Sequence, residues 1–312
     1  MEVDRSVTGL FGVQIDFPQL AERVGLDEMP LVVHVESVID RVTLHVGDES
    51  GDIDDGHVDD TTLCAVTPDR LLDAFHSVAD AVSTVIASTN DWGLSGRRDG
   101  QYRADLAADQ VALEALRTLP VGVLSEESGA ENLDRDIVVV VDPLDGSTNA
   151  SRGVGHCATS LCAVDADGPL VSLVAHMNTS TRWWAIRGAG AWRDGVPLSA
   201  PPERSWDEAV VAVSGRPPVD PGWWQFRALG ASALDICMVA DGSFDAFVDC
   251  SVDAHGVWDY LGALLVCREA GVDIRDALGR DLVVLEHGAR RTPVVAPSGL
   301  IDRALAVRAT LP

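Results

Sequence analysis

The chain has 312 residues, 46% of them hydrophobic and 23% charged, with a formal net charge of −26. That apolar content excludes a disordered chain and allows a sizeable core, while the negative charge disfavours a nucleic-acid polymer or an anionic membrane as partner. There is no lysine: all 23 basic residues are arginine, which excludes the Walker A loop, the pyridoxal Schiff base and the protein kinases, each of which needs one.

No apolar run approaches the ~18 residues of a membrane-spanning helix. The start, "MEVDRSVTGLFGVQIDF", lacks a basic segment followed by an apolar one. The expectation is a cytoplasmic protein without membrane contact. Six scattered cysteines, none in a C-x-x-C pair, read as reduced core thiols.

Residues 1–65 read as an N-terminal extension. "PLVVHVESVIDRVTLHV" suits one or two strands and runs into "GDESGDIDDGHVDD". That acidic stretch fails the calcium-loop pattern, because Gly51 stands where an acid is required, so it reads as a solvated linker. From 66 to 312 the pattern is ordered. Pro68 opens an amphipathic helix with Leu72, Phe75, Val78, Ala79 and Val82 on its apolar face, and "ADLAADQVALEALRTL" is a second helix. "VGVLS" and "DIVVVV", apolar throughout, are buried strands. "ATSLCAVDA", "PLVSLVAHM" and "TRWWAIR" are closely spaced strands, and Asp194-Gly195 marks a hairpin turn. A helix at about 231–240, the strand "FDAFVD", the helix "VWDYLGALLVCREAG", the strands "VDIRD" and "RTPVVAPS" and the helix "LIDRALAVRA" complete the chain. This mixture predicts a layered, mixed α/β (α+β) protein rather than a regular βαβ alternation.

Three segments put acids at the ends of apolar elements. They are "GVLSEES" with Glu126 and Glu127, "VVVVDPLDGST" with Asp142 and Asp145, and "GVWDYLGA" with Asp259. Singly, each is most simply a turn or cap residue. Together they suggest carboxylates that leave a buried strand and need a partner. Oxygen ligands suit a hard cation, Mg²⁺ or Mn²⁺. The Pro143-Leu144 turn can point Asp142 and Asp145 the same way and free the Leu144 carbonyl, with Glu126 and Asp259 completing the set. Four carboxylates imply more than one ion. Gly146-Ser147-Thr148-Asn149 then reads as a helix start suited to phosphate. The chemistry this suggests is phosphomonoester hydrolysis by metal-activated water, with Ser147 passing a proton to an acid.

"DPLDGSTN" at 142–149, "SEES" at 125–128 and "WD" at 258–259 resemble the inositol monophosphatase family, as do "ADLAADQ" at 104–110 and "RGAGAWRDG" at 187–195. The likeness spans roughly residues 66–312. It implies a layered αβαβα sandwich and a Mg²⁺-dependent, often Li⁺-sensitive phosphatase with two to three ions. It implies that Glu126, Asp142, the Leu144 carbonyl, Asp145 and Asp259 hold metal, and that Asp109 and Ser147 activate the water. It further implies that the amides of Asp145, Gly146 and Ser147 hold phosphate, with Gly230, Asp249 and Asp259 completing the substrate-binding set. A small phosphorylated metabolite is the expected partner, and a homodimer the expected assembly. Ala231, Tyr260 and Leu261, and the long stretch "DCSVDAHG", depart from the family's pattern on the side that faces the alcohol.

Two readings compete. A haloacid-dehalogenase-like phosphatase would place its acids one residue apart, whereas Asp142 and Asp145 are separated by two. A non-catalytic metal- or phosphate-binding relative would be expected to have lost some of the ligand positions, and here all are filled. Among catalytic readings, inositol monophosphatase-like, fructose-1,6-bisphosphatase, histidinol-phosphatase and 3′-phosphonucleotidase activities share these motifs. The pairs Trp183-Trp184 and Trp223-Trp224 read as core or dimer-contact residues, and Asp249 with His255 as facing substrate or lying in a surface loop.

Overall fold

The valine run before Asp142 is a strand covered on both faces, and the rest of the fold is built outward from it. In the computed structural model the described residues are 66–217 and 220–311, together with the backbone of two strands nearer the N-terminus. The chain divides into two units, Met1–Ala65 and Val66–Pro312. In the first, β1 (Val32–Val38) and β2 (Arg41–Gly47) pair antiparallel. The acidic linker lies outside the described residues.

The second unit opens with α1 (Pro68–Ser88), whose first turn is capped by the Thr67 hydroxyl, and α2 (Arg103–Leu116). The larger sheet holds β3 (Gly122–Ser125), β4 (Gly129–Glu131), β5 (Val138–Asp145), β6 (Ala158–Asp165), β7 (Gly168–His176), β8 (Arg182–Ile186), β9 (Gly190–Arg193) and β10 (Val196–Pro197). Its strand order is β10-β9-β8-β7-β6-β5-β3-β4, and all neighbours are antiparallel except β3 and β5. The short α3 (Ser147–Ser151) follows β5. The smaller sheet is ordered β12-β11-β13-β15-β14, from β11 (Val210–Ser214), β12 (Gln225–Arg227), β13 (Ala246–Asp249), β14 (Val272–Asp276) and β15 (Pro293–Pro297). Between the sheets run α4 (Ser232–Ala240) and α5 (Trp258–Ala270), and α6 (Ile301–Arg308) covers the outer face of the smaller sheet.

The layers are therefore α1/α2, sheet, α4/α5, sheet, α6, the expected αβαβα order. A strand's side chains alternate between faces, and β5 shows it: Val138 and Val140 join the core under α4 and α5, while Val139 and Val141 join the core under α1 and α2. Two covered faces are why this strand shows no polar alternation. The Asp194-Gly195 hairpin forms with both residues at positive φ, as a tight turn of that twist requires.

The sequence reading did not identify β11 or β12. β12 is three residues long and half-exposed, too short to carry a period. Trp183 and Trp223 are core residues, whereas Trp224 is 64% exposed. Tyr260 and Leu261, expected on the alcohol side, are core residues instead: both are buried, and the Tyr260 hydroxyl donates to the Leu282 carbonyl at 2.8 Å. Among the described residues no helix is long and apolar enough to cross a membrane.

α5 approaches β6 closely at Gly262, where a Cβ would lie 2.5 Å from Ser160 Oγ and 3.3 Å from Val174 Cγ2. Gly262→Val is expected to destabilise the protein by ~1–3 kcal/mol through overpacking. The measurement is the urea midpoint at unchanged m. The milder Gly262→Ala should recover part of its loss when Ser160→Ala is added.

Candidate active site

Parallel pairing of β3 with β5 puts Ser125 opposite Val141, so the next residues, Glu126 and Asp142, leave the sheet side by side. The Glu126 amide still donates to the Val141 carbonyl at 3.1 Å. The β5–β6 register then shifts between Asp142 and Asp145, a bulge spanned by Pro143 and Leu144. Two bonds shape it: the Leu144 amide donates to Asp142 Oδ1 at 3.0 Å, and the Thr159 hydroxyl donates to the Pro143 carbonyl at 3.1 Å. Asp259 arrives from the start of α5, its Oδ2 accepting from the Gly256 amide at 2.7 Å.

Ligand oxygens of Glu126, Asp142 and Asp259 lie within 4.8 Å of one another. Asp145 sits beside this group, with its two oxygens accepting from the Ser232 and Ala233 amides at 3.2 and 2.7 Å. Burial, followed by the neighbouring carboxylates, raises the Glu126 pKa to about 8 and holds Asp142 well above the usual range. Asp145 and Asp259 are also raised, chiefly by burial. Arg98 contributes the one guanidinium paired with this group among the described residues, at 3.0 Å from Glu126 and 3.0 Å from Glu127. The donor set is oxygen only, crowded and short of positive charge. It fits a hard divalent cation. The Leu144 carbonyl accepts from Ser147 Oγ at 2.9 Å and keeps a second lone pair.

Gly146 begins the next segment in the left-handed conformation, φ 89°. A Cβ there would meet the His156 carbonyl at 2.9 Å and Ala231 at 3.2 Å, so glycine is required for both reasons. Gly230, φ 84°, is packed against Asn149, whose side-chain amide donates to the Leu229 and His156 carbonyls at 2.7 and 2.8 Å. That link ties the loop after β5 to the start of α4.

No hydrogen bond joins Asp109 to Ser147, the two residues expected to activate the water. Asp109 on α2 faces β3, where Ser125 Oγ donates to its Oδ1, and its pKa is raised by burial against the opposing effects of Ser125 and Ser128. The carboxylate beside Ser147 is Asp105, one helical turn earlier and 2% exposed. Asp105 Oδ2 accepts from the Tyr102 amide at 2.8 Å, while Oδ1 has no partner. Burial raises the Asp105 pKa, and the Tyr102 amide and the Ser147 hydroxyl partly oppose it. "ADLAADQ" offered two aspartates on one helix face, and nothing in the spacing chose between them.

Asp249 is fully buried and not part of a surface loop. Its Oδ1 accepts from the Ser251 amide at 2.9 Å and its Oδ2 lies 2.8 Å from His255 Nδ1.

The Glu126 shift has a measurable sign. Its pKa rises from 4.5 to about 8, so the folded state keeps a proton that the unfolded chain releases. Metal-free protein should lose stability as pH rises through that window. Tm in EDTA is expected to fall from pH 5 to pH 8, and added Mg²⁺ to raise it more at pH 8 than at pH 5. Glu126→Gln should flatten the difference.

The family model described as "Inositol monophosphatase family" matches residues 69–306. A fructose-1,6-bisphosphatase/inositol-1-monophosphatase of Archaeoglobus fulgidus is 31% identical over 216 residues, covering 66% of this chain and 84% of that one. An inositol-1-monophosphatase of Caulobacter vibrioides is 30% identical over 195 residues, covering 56% and 75%. The solved inositol monophosphatase of Anabaena shares the fold with a TM-score of 0.64 at 22% identity, over 78% of this chain and 97% of that one. A match across nearly all of the second unit, with the acids of "SEES", "DPLDGSTN" and "WD" gathered at one place, makes the chain a member of the inositol monophosphatase family.

Proposed function

We propose that the protein is a Mg²⁺-dependent phosphomonoesterase acting on a small alcohol phosphate, with the activity carried by residues 66–312. The observation that carries this reading is the meeting of Glu126, Asp142 and Asp259 beside a glycine-serine segment and a buried carboxyl oxygen without a partner. Glu126, Asp142, Asp145, Asp259 and the Leu144 carbonyl would hold the ions. Bound there, Mg²⁺ lowers the pKa of a neighbouring water and neutralises charge on the phosphoryl oxygens.

The protein's own groups supply the rest. The amides at Asp145, Gly146 and Ser147 face the phosphate at the start of α3, where first-turn N–H groups have no partner within the helix. Ser147 Oγ takes the proton of the attacking water while passing its own to Asp105 Oδ1. In the resting arrangement that hydroxyl donates to the Leu144 carbonyl, and rotation about its Cα–Cβ bond turns it towards the unpartnered oxygen. Burial raises the Asp105 pKa, which makes its carboxylate a stronger proton acceptor than an exposed one. Asp109 has the separate task of fixing β3 through Ser125.

The test is phosphate release from myo-inositol 1-phosphate, fructose 1,6-bisphosphate, histidinol phosphate and a 3′-phosphonucleotide, with Mg²⁺, with EDTA and with added Li⁺. Asp145→Asn is expected to abolish release. Asp105→Asn should lower kcat by ~10²–10⁴, the usual worth of a positioned proton acceptor, and Asp109→Asn far less. Equal losses at both positions would remove the assignment of Asp105, and wild-type activity in Asp145→Asn would remove the metal site.

A further inference from the structure

Beside the phosphate segment lies a cavity of about 100 Å3, with Ser214, Gly230, Ser232 and Asp235 in its wall. β11 and β13 run parallel, and Ser214 stands opposite Asp249 at their carboxyl ends. Strand ends of this kind are where open sheets place ligands. The expected alcohol-facing acid, Asp249, is nonetheless sealed off, with both of its oxygens already taken by Ser251 and His255.

His255 carries the contact onward. It is 5% exposed, and its Nε2 lies 2.8 Å from Ser232 Oγ. A carboxylate at Nδ1 fixes a proton on that nitrogen, which leaves Nε2 for the serine. Ser232 is also joined to the metal side, because its amide donates to Asp145 Oδ1 at 3.2 Å. A hydroxyl has one donor and two acceptor positions. One is used on His255, and the remainder are free to serve the cavity that Ser232 lines.

We propose that Ser232, held in place by the His255–Asp249 pair, reads a free hydroxyl on the alcohol part of the substrate. Ser232 is the specificity-determining residue, and His255 and Asp249 are positioning residues that act through it. The inference rests on the phosphatase reading given above. An acid that cannot reach the cavity has its hydrogen-bonding role passed, through an imidazole, to a serine that can.

The test compares glycerol 2-phosphate with isopropyl phosphate, the same secondary ester without free hydroxyls, using the full chain with Mg²⁺. Wild type should prefer glycerol 2-phosphate in kcat/KM. Ser232→Ala should shrink that preference by about ten-fold, the scale of one lost hydrogen bond, mainly through KM for glycerol 2-phosphate. Ser232→Thr should restore most of it, and His255→Asn should behave like Ser232→Ala. A structural role alone would shift Tm and leave the ratio unmoved. An unchanged ratio in folded Ser232→Ala, or no preference in wild type, overturns the proposal while the phosphatase reading stands. Hydrolysis of neither ester, nor of any phosphate in the wider panel, overturns both.

Discussion

Repulsion among carboxylates at the ends of β3 and β5 is the constraint on which the rest of the site depends. Parallel pairing brings Glu126 and Asp142 out of the sheet together, and α5 adds Asp259 within ligand distance of both. Burial makes each charge costly, and proximity makes each costlier. Three of the four acids are held by neutral backbone donors. Asp142 is held by the Leu144 amide, Asp145 by those of Ser232 and Ala233, and Asp259 by that of Gly256. Neutral donors fix orientation without cancelling charge. They leave the site electrostatically unfinished, a state that a bound cation would relieve.

The central helical layer turns that local arrangement into a two-sided site. α5 supplies Asp259 to the larger sheet and packs against β14 of the smaller one, while the first amides of α4 hold Asp145. Each sheet contains parallel pairing, β3 with β5 in the larger and β11 with both β12 and β13 in the smaller, and the β3–β5 and β11–β13 pairs present polar residues where their strands end. In the proposed reading the first pair would face the phosphoryl group and the second the alcohol. The Asn149 bonds to the Leu229 and His156 carbonyls lock the segments between them, so neither half is free to drift from the other. Gly146 and Gly230, both at positive φ, allow that close approach.

Much of this was legible in the sequence because it rests on short-range rules. Unbroken valines in "DIVVVV" announce a strand covered on both faces, and the two residues between Asp142 and Asp145 announce a turn that spans a bulge. The αβαβα order followed from the motifs that resemble the family. What escaped depended on direction in space. A three-residue edge strand has no period to read. Tyr260 and Leu261 sit next to Asp259 in sequence, yet helical geometry turns them into the core. Asp105 and Asp109 share a helix face one turn apart, and only the packing of α2 against β3 gives Ser125 to the second and leaves the first to Ser147.

Hydrogen-bond partners sort these acids by role more sharply than burial does. Asp105, Asp109, Asp145 and Asp249 are all buried, so desolvation alone does not separate them. Asp145 and Asp249 have both oxygens engaged, and a group in that state can orient others but takes a new proton only by giving up a bond. Asp109 is committed to the serine that closes β3. Asp105 keeps a buried oxygen with no partner, and that oxygen belongs to the carboxyl beside Ser147. A buried bare acceptor is a cost that the fold would shed if it served nothing. Its position next to the Ser147 hydroxyl is where the proposed mechanism would need a proton to arrive.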